Sequence, residues 1–176
     1  MTQRAFTRII APSMLAALTL AAPLPASAHD KPHDRHFQTD LDSFEEVPAV
    51  WSVAGGKFTA KLNKAGTEVA WELRYGDLES DATQAHIHFG QKSVNGGIAV
   101  FLCSNLPNPP AGTQTCPLRS ATLTGTFTAA NVIGPVGQGI SAGQFDELVE
   151  ALRVGIAYAN VHTVVFPGGE IRGQLR

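Results

Sequence analysis

Val69-Ala70-Trp71-Glu72-Leu73-Arg74-Tyr75 alternates large apolar side chains with Ala70, Glu72 and Arg74. Successive strand residues point to opposite faces, so this run is a strand with one buried face and one wet face. Just before it, Phe58, Ala60 and Leu62 alternate with Lys57, Thr59 and Lys61, and Asn63-Lys64-Ala65-Gly66 separates the two runs. Two alternating runs around a turn of this composition read as an antiparallel hairpin, with Trp71 and Tyr75 in the core. Upstream, Gly55-Gly56 turns the chain, and Phe37 to Val50 opens the domain. Glu45-Glu46-Val47-Pro48 interrupts that opening run, and a proline there marks a sheet edge or a bulge. As adjacent strand residues Glu45 and Glu46 would face opposite ways, which excludes a carboxylate dyad.

Downstream, Ala85 to Phe89, Ile98 to Leu102 and Ala121 to Phe127 read as further strands, the last with a threonine-lined outer face. Phe145, Leu148, Val149 and Leu152 recur at i, i+3, i+4, i+7, which predicts a helix over Ser141 to Val154 that stops at Gly155. Strands at Ile156–Val165 and Glu170–Leu175, joined by Pro167-Gly168-Gly169, complete the chain. The expected fold is all-β: an antiparallel β-sandwich or flattened barrel with Greek-key-like connections and one short helix.

Of the 176 residues, 1–28 read as a secretory signal peptide: Arg4 and Arg8, an apolar run from Met14 to Leu24, then Ala26-Ser27-Ala28. No other run approaches the length of a membrane span. Residues 29–36 form a polar, flexible tail, and 37–176 one domain. Without Arg4 and Arg8 the 13 basic residues become 11 against 15 acidic, so the chain's −2 becomes −4. That balance gives no electrostatic basis for binding nucleic acid or an anionic membrane. Cys103 and Cys116 are the only cysteines. In an exported protein, periplasmic or extracellular, they are expected to form a disulfide.

The chemistry concentrates in the histidines. Three of the six (His29, His33, His36) lie in the tail, where they would capture metal loosely. The other three are His86 and His88, in Ala85-His86-Ile87-His88-Phe89-Gly90, and His162, in Asn160-Val161-His162-Thr163. His86 and His88 share a strand face roughly 6.5 Å apart. They can tilt toward one ion at a metal–nitrogen distance of about 2.0–2.1 Å, with His162 as third ligand. Imidazole ligands in an exported protein favour copper, with zinc second. Asn160 would orient a ligand from behind. The competing reading has the histidines tying loops to the sheet. For Glu170 and Arg172, on one face of the last strand, the plainer reading is a pair of sheet-surface charges. The functional alternative makes Arg172 an anion guide.

Together, Glu45-Glu46-Val47-Pro48, Ala85 to Gly90, Asn95-Gly96-Gly97-Ile98, Asn160 to Thr163 and Phe166-Pro167-Gly168-Gly169-Glu170-Ile171-Arg172-Gly173-Gln174-Leu175 resemble the CHRD domain, named for chordin and common in secreted bacterial proteins. The resemblance implies an extracellular β-sandwich-like domain and leaves its activity open. A weaker resemblance is to the copper–zinc superoxide dismutase sandwich, which, like immunoglobulin-like folds, is built of two sheets. There an H-x-H strand, a later strand histidine and an arginine near the C-terminus match His86, His88, His162 and Arg172. This chain lacks a His/Asp loop for zinc and a bridging histidine, so the resemblance extends to one metal only. Three functions follow as expectations: a domain binding one metal ion, a structural or protein-interaction module with an extracellular partner, and a mononuclear copper enzyme with superoxide dismutase-like activity.

Overall fold

A computed structural model describes residues 35–176; the expected signal peptide and most of the tail lie outside the described residues. Eight antiparallel strands form one sheet: β1 (His36–Asp42), β2 (Gly55–Leu62), β3 (Val69–Gly76), β4 (Ala82–Phe89), β5 (Gly97–Ser104), β6 (Ala121–Phe127), β7 (Ala157–Thr163) and β8 (Ile171–Gln174). Their order is β5-β4-β7-β8-β1-β2-β3-β6. The sheet curls until it is nearly closed, so the two layers expected of a sandwich are the halves of one flattened barrel. Helix α1 (Phe145–Arg153) lies on the connection from β6 to β7. Among the described residues no helix is long and apolar enough to cross a membrane.

Alternation explains which way each strand faces. Phe58, Ala60 and Leu62 on β2, Val69, Trp71, Leu73 and Tyr75 on β3, and Leu123 and Phe127 on β6 are buried. The residues between them are exposed or half-buried, as the sequence predicts for this half of the sheet. Phe58 stacks on Trp71, and Gly125 lets Trp71 approach: a Cβ on Gly125 would lie 2.6 Å from the indole. Leu148, Leu152 and Phe145 of α1 enter the same core, Phe145 edge-on to Phe127.

The other half of the sheet is covered on both faces. Every residue of β7 is buried, and so are Ala85 to His88 on β4 and Ile171 to Gly173 on β8. Ala85, Ile87, Ala159, Val161 and Ile171 belong to the barrel core. The intervening residues point outward, where loops cover them. The first of these loops begins where β1 ends. Asp42 accepts hydrogen bonds from the N–H groups of Phe44 and Glu45 and caps a 3-10 turn, Ser43–Glu45. Pro48 therefore lies in a loop beyond the strand rather than at an edge or bulge, and β1 is an inner strand of the sheet.

Between the sheet edges β5 and β6 the seam is bridged by the loop that the Cys103–Cys116 disulfide closes. Within it the Ser104 N–H donates to the Gln114 carbonyl (2.9 Å), and Gln114 Nε2 donates to the carbonyl of Thr124 on β6 (3.2 Å). A loop of this size gains on the order of 3 kcal/mol from its cross-link by the chain-entropy model. Cys103→Ala/Cys116→Ala is thus expected to lose about 3 kcal/mol in urea unfolding. A loss below about 0.5 kcal/mol would show that the loop's hydrogen bonds hold the seam unaided.

A candidate metal centre

Strand register builds the site. On β4 and β7, His86 pairs with Asn160, His88 with Tyr158 and Gln84 with His162. On β7 and β8, Asn160 pairs with Arg172 and Tyr158 with Gln174. The outward face thus carries two adjacent rows, His86–Asn160–Arg172 and His88–Tyr158–Gln174, with His162 diagonal to His86. The structure brings His86, His88 and His162 together: one ring nitrogen of each lies within 4.8 Å of the others. His86 is fully buried, and His88 and His162 are each 7 % exposed.

The rings are held from behind by main chain. His88 Nδ1 donates to the Gly96 carbonyl at 3.0 Å and His162 Nδ1 to the Pro167 carbonyl at 2.9 Å. A carbonyl only accepts, so in each ring Nδ1 carries the proton and Nε2 the lone pair. His88 Nε2 has no hydrogen-bond partner, nor does His86 Nε2. His86 Nδ1 lies 3.2 Å from His162 Nε2, and Asn160 Oδ1 lies 3.0 Å from that same nitrogen. Burial, followed by the neighbouring imidazoles, pushes His86 down to about 2. Burial takes His88 down to about 4 and also lowers His162. All three are neutral imidazoles at pH 7, the form that binds metal.

Arg172 is 2 % exposed, which excludes the sheet-surface charge expected of it. Its Cζ sits 3.4 Å from the centre of the Tyr158 ring, and Tyr158 stacks on His88 with centroids 4.7 Å apart. The guanidinium donates to Val94 O (2.8 Å), Gln91 O (3.3 Å) and Asn95 Oδ1 (3.2 Å). Its hydrogen bonds therefore pin the loop between β4 and β5. Tyr158 Oη accepts from the Gly96 N–H, so both main-chain groups of Gly96 are held, its carbonyl by His88 and its N–H by Tyr158. Gly96 is required there, since a Cβ would lie 1.8 Å from the Phe89 carbonyl oxygen.

Glu170 is also buried, away from surface salt bridges. Its carboxylate accepts from Ser52 Oγ, the Glu79 N–H and Thr163 Oγ1 at 2.6, 2.9 and 2.7 Å, tying three segments together. Sequence reasoning missed two residues. Glu46, at the end of the 3-10 turn, is buried, with its Oε1 left without a hydrogen-bond partner; burial raises it to about 7 against the opposing pull of Arg172. Gly169 leaves room for that carboxylate, since a Cβ there would lie 2.4 Å from Oε1. Tyr158 was within reach of period-two alternation, which places it on the face of Asn160 and His162. Glu46 carried no such signal, because its strand ends four residues earlier.

The family model of the CHRD domain matches residues 37–175. No curated protein and no solved structure matches the chain.

Proposed function

From the premise that this chain belongs to the CHRD domain family, we propose that it is an exported domain that binds one transition-metal ion, copper in preference to zinc, through His86, His88 and His162. One observation carries this reading: three buried imidazoles converge, two of them fixed by Nδ1–H bonds to backbone carbonyls, with Nε2 of His86 and His88 unpartnered. Buried polar atoms without partners cost stability, and imidazole ligands typically donate their second nitrogen to a carbonyl or carboxylate. Copper leads on the general affinity order for nitrogen sites. Export is supported by the N-terminal sequence pattern and by the disulfide.

A structural role alone accounts for the backbone bonds to His88 and His162 but leaves the unpartnered Nε2 atoms unexplained. An enzyme of the superoxide dismutase type has less support, because the donors of Arg172 are committed to the Gln91–Asn95 loop. Calorimetric titration of the chain from His29 with Cu(II) and Zn(II) tests the proposal. We expect one equivalent of tightly bound Cu(II), with binding lost in His86→Ala/His88→Ala and kept when residues 29–34 are deleted. Binding that disappears with the tail instead would assign the metal to the terminal histidines and return the cluster to structure.

A further inference from the structure

Building on the three-histidine reading, we propose that Asn160 supplies the fourth donor of the centre through Oδ1. Asn160 is 3 % exposed and stands in the row between His86 and Arg172. Its Oδ1 faces His162 Nε2 at 3.0 Å. Since His162 Nδ1 donates to Pro167, Nε2 presents a lone pair, and the amide oxygen presents lone pairs in turn. Two acceptors at that distance repel unless a cation takes density from both.

The resulting set is three imidazole nitrogens and one amide oxygen on two neighbouring strands. A four-donor set supplied wholly by the protein is the pattern of sites that retain a metal, whereas sites that act on substrates keep a position open. The inference thus narrows the function from binding an ion to holding it.

The test is Co(II) and Cu(II) titration of the wild-type chain and of Asn160→Leu, which keeps the volume and removes the donor. The wild type is expected to take one Co(II) with the intense visible absorption of a four-coordinate ion. Asn160→Leu should still take one equivalent through the histidines, with affinity lower by about tenfold or more and weaker absorption. Equal affinity and an unchanged spectrum would overturn the assignment while leaving the histidine site standing, the amide then being turned to donate to His162 Nε2. Failure of the wild type to bind would overturn both readings. If Asn160→Leu does not fold, zinc loading of the 15N-labelled wild type decides. The side-chain amide resonances of Asn160 should move further than those of Asn63 and Asn105, and a smaller shift overturns the proposal.

Discussion

Arg172→Met is expected to lower the unfolding free energy by about 3 kcal/mol or more, and to raise amide exchange through Gln91–Gly96 before the rest of the sheet. The variant removes three hydrogen bonds from a charged donor and the cation–π contact with Tyr158, leaving the Val94 and Gln91 carbonyls without their partner. The arginine charge is itself costly to bury, and no carboxylate of the described residues forms an ion pair with it, so the net loss is smaller than the sum of its contacts. Arg172→Lys should recover less than half of the loss, since an ammonium cannot span three acceptors while lying flat on a ring. Urea unfolding and hydrogen exchange check both variants. A stable Arg172→Met protein with an unaltered loop would show that the guanidinium is dispensable to the fold, and would free Arg172 for the anion-guiding role.

Acid should destabilise the metal-free protein well before ordinary carboxylates titrate. His86 and His88 are held at about 2 and about 4, against a usual value near 6.5, because burial disfavours their charged forms. Below pH 6.5 the unfolded chain takes up protons that the folded chain refuses. The stability these rings contribute is therefore complete above pH 6.5 and is lost as pH falls toward the folded values. His88 alone accounts for up to about 3 kcal/mol across that interval, and His86 for more. Glu46 works in the opposite direction. Raised to about 7, it stabilises the folded state below its unfolded value of 4.5, and that contribution is lost as pH rises through about 7. Between pH 4.5 and 6.5 the two slopes oppose each other. Glu46→Gln removes the opposing slope, so stability in this variant should fall more steeply with acid than in the wild type. Denaturation midpoints from pH 4.5 to 7.5 give the comparison. Parallel profiles would mean that Glu46 titrates normally in the folded protein.

Much of the barrel is legible by eye, for a simple physical reason. β2, β3 and β6 bury one face, and period-two alternation records that directly. The covered half of the sheet writes a poorer signal, because residues on both faces are buried. Ile156, Val164 and Val165 extend the apolar run past the true ends of β7, although Val164 and Val165 are 66 % and 58 % exposed. The helix begins four residues later than periodicity suggests. Gly143 has φ +85°, a left-handed conformation that cannot continue into a helix, and Ser141 to Gln144 form a turn instead. The shared face of His86 and His88 is a local property and could be read. Their meeting with His162 depends on the pairing of β4 with β7, more than 70 positions apart. The burial of Glu170 and Arg172 was illegible, since Ser52, Glu79, Gln91 and Val94 are distant in sequence. The burial of Glu46 could not be read, because opposite faces follow only within a strand, and β1 stops at Asp42.

The cover over the histidine face has a kinetic consequence. A ligand set nearly sealed from water exchanges its ion only as often as the cover opens, whatever the equilibrium constant. The Gln91–Gly96 segment is fastened at Arg172, Tyr158 and His88, and Asn95 Nδ2 fastens it to the Val47 carbonyl. Were an ion held at the histidine cluster, its residence time would be set by a local breathing motion of the protein, and a competing chelator in solution would strip it at a rate independent of the chelator's concentration.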